Sequence, residues 1–270
     1  MLSLKKISER DQKKGIDCPR SLFYDAEIIK SVVNDIKKVR SRSEINRIAF
    51  EQCKTESTPY LNPRKRYCLL NFADKGFPGL GIPNMGATQE MNLLVKFPGL
   101  FKSLNESDYY PVDYENGGVV VTDYVERYRG DAYNVLNKND REKAMFVSAP
   151  APDNKDYMFD ESVVLQHIRN LVLAPVIFND GKFTRPHILT VGAWGCGISC
   201  PSQKYYETCV KPKLSDTYKS CPNYVRLMAM MFHTVLIEEK MYEYYEKVMI
   251  AIPDKLNLNE FIRVFKKDHL

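Results

Sequence analysis

A chain of 270 residues, 44% of them hydrophobic, can bury a sizeable core in one domain, or in one domain with an extension. No apolar run approaches the roughly 20 residues of a membrane-crossing helix, so no membrane partner is expected. The formal net charge of +5 is mild; it suits a nucleotide or polyanionic partner, and nucleic-acid binding is not expected.

Along the chain, MLSLKKISERDQKK is too polar for the apolar segment of a signal peptide, which points to a cytoplasmic or nuclear protein. Residues 1–60 read as a polar, mostly helical extension: LFYDAEIIKSVVNDIKKV spaces its apolar residues helically, and SEINRIAFEQC continues a second segment. TESTPYLNPRKR then brings two prolines that cannot sit inside a helix, leaving 61–270 as the main domain. Strands are expected there at 67–73, 118–123, 145–149, 187–193 and 225–231, and helices at 87–96, 161–174, 203–213 and 234–250. The alternation predicts an α/β fold, a mixed or parallel sheet with helices on both faces. The basic runs at 37–42, 63–66 and 263–267 read as solvated faces.

Two glycine-bearing turns stand out, GFPGLGIPNMGATQEMN at 76–92 and VGAWGCGISCPSQ at 191–203. Each follows an apolar strand-like run and precedes a stretch that can be helical, which is how α/β proteins cradle phosphates. Neither is a P-loop or a dinucleotide fingerprint, since the first lacks Gly-Lys-Ser/Thr and has no third glycine in register. Two such loops suggest a ligand with two phosphates, bound beyond the carboxyl ends of the strands.

The first loop, with Asn71-Phe72-Ala73, Pro78-Gly79-Leu80-Gly81, eight residues and Glu90-Met91, resembles the macro-domain-like catalytic region of the microbial type of poly(ADP-ribose) glycohydrolase. That family's Pro-Ala-Pro-Asn strand end is similar to Ala149 to Asp153, and its Gly-Ala-Trp-Gly-Cys-Gly loop stands intact at Gly192 to Gly197. The resemblance covers about 66–210 and implies a three-layer sandwich with a mixed central sheet, preceded by the helical extension. It also implies that the chain binds ADP-ribose, poly(ADP-ribose) or an ADP-ribosylated protein, as a monomer and without cofactor or metal. The residues it marks for binding are Asn71, Gly79, Leu80, Gly81, Gln89, Trp194, Gly195, Cys196, Gly197, Ile198 and Ser199, with Glu90 as the catalytic candidate.

Cleaving a ribosyl bond passes through an oxocarbenium-like state, so an acid must protonate the departing oxygen. The resemblance assigns that work to the second glutamate of Gln-Glu-Glu, and in this chain the position is Met91, whose thioether carries no proton. Three readings stay open: a binder of ADP-ribose without catalysis; a hydrolase in which Glu90, Asp74, Asp123 or Asp153 supplies the acid; and an interaction protein acting through its N-terminal extension. Leu80 puts a side chain where the family has glycine, and Ile198-Ser199 stands where relatives carry an aromatic residue and then Asn.

Plainer roles compete at several positions. Asn71 could cap a turn, Trp194 could pack in the core, and Cys196 could be a small packed residue. His167 lies mid-helix, where a satisfied histidine is usual, and MYEYYEKVM at 241–249 reads as an amphipathic helix. The seven cysteines, at 18, 53, 68, 196, 200, 209 and 221, fit no zinc spacing and are expected to be free thiols.

Overall fold

The computed structural model describes residues 18–39, 47–79, 88–152, 159–178, 185–197 and 199–266. Seven strands among them, β1 Ser21–Tyr24, β2 Ile48–Glu51, β3 Tyr67–Ala73, β4 Val119–Glu126, β5 Lys143–Pro150, β6 Ile188–Val191 and β7 Lys247–Ala251, form one open sheet. Its order is β1-β4-β5-β3-β6-β7-β2. β1, β4 and β5 pair antiparallel, and from β5 across to β2 every pairing is parallel. β3 lies in the middle, and its YCLLNFA is almost wholly buried, the near-continuous apolar run that a strand covered on both faces requires.

Helices cover both faces. α1 Ala26–Val32, α4 Glu161–Phe178, α7 Tyr224–His233 and α8 Lys255–Lys266 pack on one side, where Cys68 and Leu70 of β3 meet Ile168, Leu171, Phe232 and Phe261. α2 Gln89–Lys96 and α3 Pro98–Glu106 pack on the other, where Tyr67 and Leu69 meet Leu93, Leu94 and Leu100. The short α5 Gln203–Tyr205 and α6 Asp216–Lys219 lie between α4 and α7 in sequence. This is the expected mixed three-layer sandwich.

Some local readings are corrected. VRLMAMM, expected as a strand, is the body of α7: Asn223 accepts from the Arg226 amide at 2.8 Å and starts a helix of straight-chain residues with Leu227, Met228, Met231 and Phe232 buried. The long helix expected at 234–250 does not form. Helix runs on through Glu238, Lys240 turns left-handed at φ 55, a 3-10 turn covers Met241–Tyr244, and KVMIA becomes β7. Its β-branched and apolar residues fit a buried parallel strand. In the N-terminal region, LFYDAEIIKSVV is helical only after Asp25, which caps α1 by accepting from Ile28 at 2.9 Å, and the second helical segment contains β2 instead. β1 and β2 are the two edges of the sheet.

Buried charge pins the α2 side. Lys96, at the end of α2, and Glu56, in the 3-10 helix Thr55–Leu61, are both 1% exposed and meet at 2.9 Å. Lys96 also reaches Asp131 at 2.7 Å, and that hydrogen bond holds the Asp131 carboxyl below its usual range. Arg127 completes the cluster, donating to Asp131 and to the Glu56 carbonyl at 3.0 Å each while lying over the Tyr60 ring. Removing one member strands a buried charge. Lys96→Ala is expected to cost about 3–5 kcal/mol in urea unfolding, and the paired change Lys96→Met with Glu56→Gln should recover most of it.

Candidate functional site

Both glycine loops leave the sheet at neighbouring strand ends. β3 and β6 are adjacent and parallel, so the turn after Ala73 and the turn after Val191 open side by side beyond the carboxyl edge. Between them and the β7 end lies a cleft of about 280 Å³. Gln89, Cys196 and Gly197 line it, together with Lys54, Thr55, Glu56, Phe72, Thr88, Asn92, Ala193 and a stretch from Ala251 through Asp254 to Asn257.

Thr88 caps α2 by accepting from the Met91 amide at 3.2 Å, which sets the first helical turn against β3. Gln89 uses that placement to finish the sheet. Its amide accepts from Phe72 N at 2.9 Å and donates to Leu70 O at 2.7 Å, taking ladder positions beyond the point where β6 stops pairing. It also donates to Thr55 Oγ1 at 2.9 Å, so one side chain joins β3, α2 and the 3-10 helix.

Glu90, next along the helix, is 3% exposed and does not line the cleft. Its carboxylate accepts from the Asn71 side chain at 3.3 Å, from the Asp74 amide at 3.1 Å and from the Gly79 amide at 3.2 Å. Gly79 is left-handed at φ 70, a conformation that favours glycine, so the carboxylate and the glycine together bend the loop back over the end of β3. Asp74 tightens the same turn by accepting from Gly76 at 2.8 Å and Phe77 at 3.1 Å. Burial pushes the Glu90 carboxyl up to about 7, with the hydrogen bonds from Asp74, Asn71 and Gly79 pulling the other way.

Asn71 is buried beside Ser148 on β5, to which it donates at 3.1 Å, and its Oδ1 has no partner. Met91 is buried, 5% exposed. On the second loop, Gly195 is left-handed at φ 76, and at Gly197 an added Cβ would stand in open space. Trp194 does not face the cleft: it is wholly buried and its indole donates to Ala149 O at 3.1 Å, so its role is packing. Cys196 donates to Trp194 O at 3.6 Å, and burial pushes its thiol well above the usual range, which removes it as a nucleophile. Ser199 follows in the same turn without lining the cleft. Leu80, Gly81, Ile198 and Asp153 lie outside the described residues.

Asp123 sits on β4, three strands from β6, and takes no part in the cleft. His167 is a core histidine whose Nε2 meets Tyr114 O at 2.7 Å while its buried Nδ1 has no partner, and burial holds its pKa down to about 4. All seven cysteines are free, and no metal-ligating cluster occurs among the described residues. Sequence reasoning missed Lys54, Thr55, Glu56, Asp254 and Asn257, because they carry no motif and reach the cleft through tertiary contacts, the pairing of β2 with β7 and the bonds from Gln89 and Lys96 to Thr55 and Glu56.

Glu90 makes stability depend on pH. Its carboxyl titrates at about 7 when folded against an ordinary 4.5, so across that interval the folded chain holds a proton the unfolded chain has lost. The stability this group contributes is full below the unfolded value and is lost as pH rises through 7, about 3 kcal/mol in all. Urea unfolding of wild type and Glu90→Gln at several pH values from 5 to 8 should show wild type losing about that much relative to the variant. Parallel curves would contradict the assignment.

No family model and no curated protein matches this chain. Solved structures do. The poly(ADP-ribose) glycohydrolase of Thermomonospora curvata is 18% identical with a TM-score of 0.72, the alignment covering 97% of this chain and 99% of that one. The same enzyme bound to the inhibitor ADP-HPD gives 18% and 0.69, with 97% and 98% covered. The Deinococcus radiodurans enzyme in complex with ADP-ribose gives 17% and 0.68, with 99% and 98% covered. Over nearly its whole length, this chain has the macro-domain-like fold of the microbial poly(ADP-ribose) glycohydrolases.

Proposed function

We propose that the cleft binds an ADP-ribose unit, free, in a polymer or attached to a protein, and that glycosidic cleavage is weak or lost. The observation that carries this reading is the pair of glycine loops at adjacent strand ends, the first braced by a buried carboxylate. In it the first glycine loop beyond Gly79, whose own amide Glu90 holds, and the turn at Gly195 and Gly197 offer backbone amides to the diphosphate, and the start of α2 adds its dipole. Asn71 and Glu90 underlie the distal ribose, and the side of the cleft lined by Phe72, Lys54, Asp254 and Asn257 receives the adenosine end. The comparisons support this as a likeness to enzymes solved with ADP-ribose and with ADP-HPD.

Loss of cleavage is supported by chemistry at two neighbouring positions. Met91 offers no proton where the resembling family has its acid, and Glu90 is already engaged by three donors. One observation favours the other reading: a carboxyl held near 7 has the poise of a general acid at working pH. In that case Glu90 gives up its bonds to the loop and turns to the glycosidic oxygen.

Calorimetry with ADP-ribose tests binding; no heat of binding even at millimolar ligand would refute the proposal. Release of ADP-ribose from automodified polymerase and from proteins mono-modified on Glu, Ser or Arg separates the two readings. The binder reading expects an inert wild type and turnover gained in Met91→Glu. An active wild type silenced by Glu90→Gln would establish the enzyme instead.

A further inference from the structure

At the end of the sheet opposite the cleft, where the parallel strands begin, the fold gathers cations from four remote segments. Arg185 donates to the carbonyls of Lys37 and Tyr244 at 2.7 Å each, and Arg66 Nε donates to Arg185 O at 2.9 Å. Lys38 pairs with Glu243 and Lys65 with Glu246, which uses the charge of both glutamates. Three cations in the same segments, Lys37, Arg64 and Lys247, have no acidic partner among the described residues, where the carboxylates left at this end are Asp35 and the half-buried Glu142 before β5. Lys37 and Arg64 are exposed, and Lys247 opens β7 beside Glu246.

Resting on the ADP-ribose reading of the cleft, we propose that this basic end is a second contact surface, for the body of an ADP-ribose polymer whose terminal unit occupies the cleft. The seven residues of β3 separate the two ends by about 23 Å at roughly 3.3 Å per residue, too far for one unit to touch both. A polymer with a diphosphate in every unit spans that distance, and the second contact then acts at high effective concentration. The surface offers charge rather than stacking, the rings of Tyr242 and Tyr244 being covered by Arg47 and Lys38. Single-stranded nucleic acid fits less well, because it has no terminal ADP-ribose unit for the cleft and so lacks the anchor that makes the second contact effective.

The test compares ADP-ribose, by calorimetry, with a long end-labelled polymer, by fluorescence anisotropy, on wild type and on the triple variant Lys37→Glu, Arg64→Glu, Lys247→Glu. Wild type should hold the polymer at least roughly tenfold tighter than the monomer at low salt. That gain should vanish in the variant and in high salt, with monomer affinity unchanged, which also reports that the variant folds. A polymer bound no better than monomer, or a gain that survives the charge reversal, overturns the proposal. So does an oligonucleotide of equal length that binds the same surface as tightly as the polymer. Absence of monomer affinity in both chains, with charge-dependent polymer binding intact, refutes the cleft reading separately and removes the terminal anchor proposed here.

Discussion

A single buried carboxylate shapes the site. Glu90 reaches from the first turn of α2 to the end of β3 and holds the amides of Asp74 and Gly79 in one grip while bonding Asn71. Three donors are what a carboxylate needs to stay in an apolar setting, and burial still lifts its pKa to about 7. Without it the loop would lose its anchor at Gly79 and the strand end its link to the helix. The same grip explains why Glu90 is a poor candidate for a free acid: its acceptor positions are already in use.

Other contacts keep that carboxylate in place. Thr88 caps the helix that carries it, and Gln89 ties the same turn to Leu70, Phe72 and Thr55. Thr58 extends the connection to Thr190 of β6 at 3.0 Å, so side-chain hydrogen bonds join the 3-10 helix, β3, β6 and α2. At the far end of α2, Lys96 closes on Glu56. A pair buried this completely adds little stability over an apolar substitute, but breaking it is costly, so it fixes the position of α2 more than it strengthens the fold. The result is a cross-linked wall of the cleft, beside which the two glycine loops leave the sheet.

Much of this was legible in the sequence, for identifiable reasons. β3, β5 and α4 declared themselves because strands and helices buried on most sides leave long apolar runs, and the Gly loops because a left-handed turn such as that at Gly79 favours glycine. The C-terminal third misled. VRLMAMM has the apolar density of a strand, yet the Asn223 cap starts a helix there, and MYEYYEKVM has helical spacing, yet Lys240 turns left-handed and frees KVMIA to join the sheet. β1 and β2, four residues each, are too short to outweigh the helical pattern around them and exist because the sheet has open edges to fill. Of the residues marked by the motifs, Gln89, Cys196 and Gly197 line the cleft, but the motifs could not distinguish Trp194 as packing from Trp194 as pocket wall. Nor could it reveal that Glu90 and Asn71 bond each other, since that depends on the register of α2 against β3.

The central claim is that the braced glycine loops receive the diphosphate of ADP-ribose while Glu90 stays bound to the loop. A crystal structure with ADP-ribose tests it most directly. The account predicts the diphosphate against the backbone amides of both loops, the Glu90 bonds to Asp74 and Gly79 intact, and no carboxylate within about 3 Å of the anomeric oxygen. ADP-ribose seated elsewhere, or Glu90 turned from the loop onto that oxygen, would contradict it.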